Sequence, residues 1–186
     1  MPSSGPNAPG GPDAPGGDPL LLFAVGGTVC ALRRPAVREL LPLPRLSAPP
    51  GLPRPVAGFL NLGGEAVPVL ALARLLNRTE EARRVAGGLY RHIIVLNHTL
   101  PRPGGGSGRV ALLVDRVLDL VPPPAQPATP PDGHADPCVE AEIPLGAALV
   151  HLLAPDRLLR EGEAAILAAL AEDAQRRLRD WDATPT

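Results

Sequence analysis

The chain has 186 residues, which is enough for one domain of ordinary size or for two small lobes that share a core. Because 45% of the residues are hydrophobic but only 2% are aromatic, Leu, Val and Ala must fill the interior, and no aromatic platform exists for stacking bases or sugars. The formal net charge of -1 also argues against a nucleic-acid partner.

The N-terminal segment, residues 1–19, consists almost wholly of Pro, Gly, Ser, Ala, Asn and Asp. Such a segment buries too little apolar surface to offset the entropy of ordering, so we expect a disordered tail. Strands are predicted next at residues 20–25 and 28–32. They are joined by Gly26 and Gly27, which suit the positive φ angles of a tight two-residue hairpin.

The same turn chemistry recurs at Gly63 and Gly64, between strands predicted at residues 56–62 and 65–70. The similarity of FAVGGTVCAL to LNLGGEAVPVL is explained by this shared turn, and we do not interpret it as a repeat. A short helix is predicted directly afterwards, over residues 71–77.

Two β-rich runs, residues 92–97 and 109–113, flank a glycine-rich loop and predict a further pair of strands. Residues 114–121 are predicted to continue as a strand or a bend. The segment 122–137 (PPPAQPATPPDGHADP) has the composition of the N-terminal tail, and we expect a disordered loop at the surface. Beyond it, residues 143–153 predict two short strands or one bulged strand.

The C-terminal segment changes character at residue 161, where Ala, Leu, Glu and Arg replace Gly and Pro. Its apolar residues recur at helical spacing with charge opposite, which predicts a helix over residues 161–181. We expect this helix to pack on its own domain; the alternative is a helix offered to a partner. The apolar stripe consists of Leu167, Leu170, Ala171, Ala174, Leu178 and Trp181. The predicted organisation is therefore a tail (1–19), one domain (20–160) and this helix, with too many strands for a βαβ sheet and the pattern of small β-barrels.

Sequence motifs for catalysis are missing. The chain has no Lys, which a phosphate-binding P-loop requires, and no G-x-S-x-G nucleophile motif. His134, Asp136 and Cys138 come closest to a metal site, but a site needs three or four ligands at fixed spacing and no C-x-x-C lies nearby. We therefore predict no metal, no cofactor and no catalysis. The alternative from another class is a small metal-dependent enzyme that uses His134 and Cys138.

Localisation follows by elimination. The two cysteines do not make a disulfide framework, the N-terminal residues do not form a secretory signal, and no apolar run approaches the ~18 residues of a membrane span. We expect a cytoplasmic protein with no direct membrane insertion.

Three stretches of the sequence carry a family resemblance. FAVGGTVCALRRPAVREL has the form of an opening strand pair followed by an apolar–x–Glu–apolar strand, here Val37, Glu39 and Leu40. GFLNLGGEAVPVLALARLL has an Asn-Leu turn and an apolar–Pro–apolar strand, and GRVALLVDRVLDLV has a Val-Asp pair that places Asp115. In this order the stretches resemble the CheW-like domain family, in which the third belongs to the second lobe.

The resemblance implies a mainly β fold with two intertwined, SH3-like, five-stranded β-barrel lobes, a short internal helix and a C-terminal α-helix. It also implies a non-catalytic adaptor of chemotaxis-type signalling, recruited to receptor arrays at the inner membrane. Its partners would be the regulatory domain of a histidine kinase and the cytoplasmic tip of a methyl-accepting chemoreceptor. The positions implied in partner binding are Val37, Glu39, Leu40, Gly58, Asn61, Leu62, Gly63, Gly64, Val67 and Asp115.

Two surfaces follow from these positions: the hairpin at residues 58–69 of the first lobe, and the groove between the lobes near Glu39 and Asp115. The sequence departs from the family at Gly63, where an Arg usually faces the acidic residue equivalent to Glu39, and at Ala71, where an acidic residue is usual. These departures affect the standard receptor and kinase contacts. They leave open a divergent CheW-like paralogue of another chemosensory pathway, such as motility driven by type IV pili.

Overall fold

The computed structural model describes residues 17–77, 91–101, 107–124, 129–131, 136–146 and 148–182. The predicted tail (1–19) therefore lies mostly outside the described residues, and so does His134. The described elements are, in chain order, β1 (Leu20–Val25), β2 (Thr28–Arg33), β3 (Val37–Pro42), β4 (Val56–Leu62), β5 (Glu65–Ala71), α1 (Leu72–Leu75), β6 (His92–Pro101), β7 (Ser107–Val114), β8 (Arg116–Val121), β9 (Val139–Leu145), β10 (Ala148–Leu153) and α2 (Glu161–Asp182).

The strands form two five-stranded sheets. One has the order β8-β1-β2-β10-β9 and is called lobe A here; the other has the order β3-β6-β7-β5-β4 and is called lobe B. The chain begins in lobe A, builds all of lobe B and then returns to complete lobe A. The predicted fold class, mainly β with two intertwined lobes and a C-terminal helix, is confirmed, although the strand ladders of the described residues leave each barrel open.

One part of the expected lobe assignment is wrong. The stretch GRVALLVDRVLDLV was expected to belong to the second lobe, away from the β4–β5 hairpin. Strand β7 instead pairs with β5 and β6 in the same sheet as that hairpin, and only β8 lies in the other lobe, beside β1. The chain crosses between the lobes at Asp115, so one continuous β-rich stretch of sequence contributes a strand to each sheet.

The two lobes have the same topology. Each contains a central antiparallel hairpin (β1–β2 or β6–β7), a parallel pair (β2–β10 or β7–β5) and an antiparallel edge hairpin (β9–β10 or β4–β5). In each lobe, the segment after the other edge strand crosses to the edge hairpin and makes one isolated bridge, Ser47 to Phe59 in lobe B and Thr129 to Glu142 in lobe A. Thr129 thus gives part of the proline-rich segment 122–137 a defined strand partner.

The matching registers align VAGFLNLGGEAVPVL (56–70) with VEAEIPLGAALVHLL (139–153) without a gap. They also align VREL of β3 with VLDL of β8. The glycine hairpins that look alike in the sequence occupy different places, since β1–β2 is central in lobe A and β4–β5 is at the edge of lobe B. Their similarity is therefore one of turn chemistry, as predicted.

Burial on both faces explains why these strands read as continuous apolar runs. In β1, Leu21 and Phe23 point into a core shared by the two lobes, whereas Leu20 and Leu22 point into the core of lobe A alone. Lobe B has its own separate core of the same kind, which includes Val67. A strand with two buried faces loses the alternation of polar and apolar residues that a half-exposed strand shows.

Helix α2 packs on β5 and β6, which are both strands of lobe B. Leu167, Ala168 and Ala171 are buried in this contact, and Leu167 reaches the shared core. Further along the helix, Ala174, Gln175 and Leu178 are only half-buried. The first half of the helix therefore belongs to the core, and the second half lies over the β4–β5 hairpin.

Candidate functional site

Most of the candidate partner-binding residues lie on the two edge strands of lobe B. Glu39 and Leu40 are on β3, and Asn61 and Leu62 are on β4. Leu40 is 42% exposed, a large fraction for a leucine in a strand. Leu62 is half-buried against the core of lobe B. Edge strands have backbone groups and side chains available to a partner, so their positions suit protein–protein contact.

The β4–β5 turn has the geometry that its two glycines predict. Gly63 and Gly64 have φ angles of +62° and +85°, as a type I′ turn requires. The Asn61 side chain completes the turn, because its Oδ1 accepts a hydrogen bond of 2.9 Å from the Gly64 amide. Asn61 therefore has a structural role in shaping the hairpin.

Gly58 is required by a close approach of two backbones. Its φ angle is +148°, and a Cβ atom there would lie 2.8 Å from the Ser47 carbonyl oxygen. The Ser47 and Phe59 backbones exchange two hydrogen bonds, of 2.9 and 2.7 Å, at this point. Gly58 thus allows the segment that follows β3 to cross onto β4.

Val37 and Val67 are buried, with exposed fractions of 4% and 0%. Val37 belongs to the shared core and Val67 to the core of lobe B. The two side chains therefore form the base of the candidate surface and leave contact with a partner to their exposed neighbours.

Asp115 points into the protein at the crossing between the lobes. It is 7% exposed, and its carboxylate accepts a hydrogen bond of 2.6 Å from the Gly26 amide. Its own amide donates to the Ala24 carbonyl at 3.0 Å. Asp115 thus fixes the β1–β2 turn of lobe A to the end of β7 in lobe B, so of the two acidic groups expected at the groove only Glu39 is at the surface.

Two of the arginines near Glu39 in sequence, Arg33 and Arg34, have other partners. Arg33 forms an ion pair of 2.7 Å with Glu140 of β9, and Arg34 donates to the Val37 carbonyl at 2.8 Å. Glu39 itself is half-buried, and Gly63 of the β4–β5 turn has no side chain that could pair with it.

Three residues that hold the hairpin in place were not predicted from the sequence. The Gln175 side chain of α2 accepts from the Ala66 amide and donates to the Gly64 carbonyl, both at 2.8 Å. Glu65 forms an ion pair of 2.9 Å with Arg109 of β7. These contacts join residues far apart in the chain, and no local pattern in the sequence indicates them.

The thiol of Cys138 is buried at the start of β9. Burial, with a smaller contribution from Asp136, raises the pKa of this thiol from 9.0 to about 12. A thiol of such a pKa is protonated at neutral pH and is a poor metal ligand or nucleophile. Among the described residues, no group of three His, Cys, Asp or Glu side chains is placed to hold a metal ion. Nor does this part of the chain contain a helix that is long and apolar enough to cross a membrane.

The comparisons with known proteins agree with this architecture. Residues 19–163 match the CheW-like domain family. Among solved structures, the chain is similar to the scaffolding protein TtCheW from Thermoanaerobacter tengcongensis, with a TM-score of 0.69 and 18% sequence identity over 86% of this chain and 99% of that one. No curated protein matches the sequence. At this level of identity, the likeness to TtCheW concerns the fold.

Proposed function

The chain belongs to the CheW-like domain family, and from this premise we propose that it is an adaptor that couples chemoreceptors to a histidine kinase by protein–protein contacts. The family consists of non-catalytic scaffolds, and this chain is one of them. The match over residues 19–163 is the observation that carries the proposal, because it spans both lobes. The protein would act in the cytoplasm, at receptor arrays on the inner membrane.

We propose that lobe B provides the principal contact surface, at its edge strands β3 and β4 and the turn of the β4–β5 hairpin. Leu40, Leu62 and Glu39 would make the contacts, and Gly58, Asn61, Gly63 and Gly64 would set the backbone shape. Val37 and Val67 would support the surface from within, and Asp115 would hold the two lobes together. Leu40 on β3 and Leu62 on β4 would each act as an apolar anchor, and a few such residues commonly dominate the energy of an interface.

The direct test is a calorimetric titration of this protein against the regulatory domain of a chemotaxis-type histidine kinase from the same organism. We expect a Kd in the micromolar range, or about -8 kcal/mol. A second titration against a fragment of a chemoreceptor cytoplasmic tip tests the other half of the coupling. If the kinase domain gave neither heat nor a complex, the adaptor proposal would be wrong.

Two leucine variants locate the surface. Leu40→Arg and Leu62→Arg each place a charge among the proposed contacts, and we expect the Kd to rise at least about tenfold, or ~1.4 kcal/mol. The matched control is Leu149→Arg, because Leu149 is 50% exposed on the edge hairpin of lobe A. If the Leu149 variant lost affinity and the other two kept it, the surface would belong to lobe A.

A second candidate is an adaptor of the same kind in another chemosensory pathway, such as type IV pilus motility. The replacement of the usual Arg by Gly63 and of the usual acidic residue by Ala71 favours this reading, because it changes the charge of the proposed surface. Parallel titrations against kinase domains from each pathway of the organism distinguish the two. The pathway whose domain binds tightest is the one that the protein serves.

A further inference from the structure

Among the described residues, no strand pairs with the start of β5 on the side away from β4. In a two-residue hairpin the closing pair, here Leu62 and Glu65, exchanges hydrogen bonds, and the next pair, Asn61 and Ala66, does not. The Ala66 amide therefore points away from β4. The neighbour on that side is β7, but its pairing with β5 begins only at Val69.

Gln175 takes the place of the missing strand. A side-chain amide has one carbonyl and one NH2 group, so it can accept and donate like a peptide unit. In this structure the group accepts from the Ala66 amide and donates to the Gly64 carbonyl, at 2.8 Å each. Ala66 is only 4% exposed. Without Gln175 its amide would lack a partner in a place that water reaches poorly.

A second side chain fills the neighbouring gap. Glu65 accepts from the Arg109 backbone amide at 3.2 Å and pairs with the Arg109 guanidinium at 2.9 Å. At the start of β5, before its pairing with β7 begins, polar side-chain contacts rather than a ladder of backbone hydrogen bonds connect the two strands. One side of the hairpin is fixed to β7 in this way, and its tip is fixed to α2.

The second half of α2 does not pack tightly on the hairpin. A groove of about 250 Å³ lies between them, lined by residues that include Phe59, Asn61, Ala174 and Leu178. Apolar contact is therefore incomplete there. The two hydrogen bonds of Gln175 attach this half of the helix to the hairpin.

We propose that Gln175 is a positioning residue for partner binding, which holds the β4–β5 hairpin in its bound shape before the partner arrives. This inference rests on the proposed function, because the hairpin carries Leu62 and Asn61 of the proposed surface. A hairpin that is fixed in advance loses less conformational entropy on association, so its affinity is higher. The helix would then contribute to binding without touching the partner.

The test compares Gln175→Ala and Gln175→Glu with the wild-type protein in titrations against the kinase regulatory domain. Glu keeps an acceptor for the Ala66 amide but, when ionised, has no donor for the Gly64 carbonyl. We expect the Ala variant to bind about tenfold more weakly and the Glu variant to be intermediate, since preorganisation is lost in two steps. Arg179→Ala, at an exposed position of the same helix, is the control and should bind like the wild type.

Two further measurements separate positioning from a merely structural role. Amide hydrogen exchange of Ala66 should be about tenfold faster in Gln175→Ala, because the amide opens more often. In a Leu62→Ala background, Gln175→Ala should weaken binding by less than it does alone, since both changes act through one hairpin. A Gln175→Ala variant with faster exchange and unchanged affinity would overturn the positioning role alone. A wild-type protein that bound no kinase domain would overturn the proposed function and this inference with it.

Discussion

The edge hairpins of the two lobes are equivalent in topology but differ in how they are held. In lobe B the β4–β5 hairpin is attached to α2 through Gln175 and to β7 through Glu65. In lobe A the β9–β10 hairpin has Leu145 and Leu149 near its turn, which are 37% and 50% exposed. The helix packs on strands of lobe B, so the same fold is reinforced where the candidate surface lies.

The alignment of the lobes also shows which residues both lobes need for their cores and which occur in one lobe only. Val56 and Val139 begin the two edge hairpins, and Leu70 and Leu153 are buried at their ends. These positions are apolar in both lobes, because both cores need them. Asn61 has its counterpart in Pro144, so the side-chain cap of the turn is a feature of lobe B alone.

The largest expected effect comes from the glycine that the lobes do not share. The residue before the bridging Phe59 is Gly58, and the residue before the bridging Glu142 is Ala141. We expect Gly58→Val to lower the free energy of unfolding by about 3 kcal/mol, because the φ angle is unfavourable and the Cβ would meet the Ser47 carbonyl. Urea unfolding followed by circular dichroism measures this change.

The control for this variant lies in lobe A. Ala141→Gly removes one methyl group from a position that already tolerates a Cβ, and we expect a loss of about 1 kcal/mol. Equal losses for the two variants would show that the Gly58 backbone is free to adjust. The asymmetry between the bridges would then have no energetic meaning.

The next effect concerns the crossing between the lobes. Asp115→Ala removes the acceptor of the buried Gly26 amide, and we expect a loss of about 2 kcal/mol in the free energy of unfolding. Asp115→Asn keeps an acceptor oxygen at the same place and should lose about half as much. Thermal unfolding of both variants provides the measurement. If Asp115→Ala were as stable as the wild type, the bond to Gly26 would not be what joins the lobes.

A chemical difference between the lobes gives a third prediction. Cys138 of lobe A corresponds to Pro55 of lobe B, since the Cys138 carbonyl accepts from the Ala154 amide and the Pro55 carbonyl accepts from the equivalent Ala71 amide. With a pKa of about 12 in the fold and 9.0 without it, the thiol ionises first in the unfolded chain. The contribution of the protonated thiol to the free energy of unfolding is therefore fully present below pH 9 and is lost as the pH rises towards 12. Iodoacetamide at pH 8 should therefore label Cys138 slowly in native protein and rapidly in urea, as peptide mass spectrometry would show.

The pH dependence of the free energy of unfolding tests the same thiol at equilibrium. The difference in free energy of unfolding between wild type and Cys138→Ala should become smaller above pH 9, because the ionisation penalty is absent in the variant. A difference that did not change with pH would mean that the thiol titrates alike in both states.

Much of the fold was predictable because it is encoded locally. The glycine pairs gave the β1–β2 and β4–β5 turns, and the amphipathic stripe gave α2. The lobe of β7 was not predictable, because a run of apolar residues such as VALLV does not say which sheet it joins. The hydrogen bonds of Gln175 to the hairpin could not be predicted either, because a glutamine on a helix has no local signal for a backbone partner more than 100 residues away.

The smallest expected effect tests whether exposed ion pairs contribute to the difference between the two edge hairpins. Arg33 of β2 and Glu140 of β9 form an ion pair in lobe A, and their side chains are 41% and 37% exposed. In lobe B, the pair of Glu65 and Arg109 is less exposed, at 20% and 32%, and also includes a backbone amide. We expect Arg33→Ala to cost no more than about 0.5 kcal/mol and Glu65→Ala about 1 to 2 kcal/mol. A double-mutant cycle for each pair, measured by urea unfolding at low and high salt, gives the coupling energies. If the two coupling energies were equal and salt reduced them equally, the ion pairs would stabilise both lobes to the same extent. Any difference in rigidity between the two edge hairpins would then come from α2.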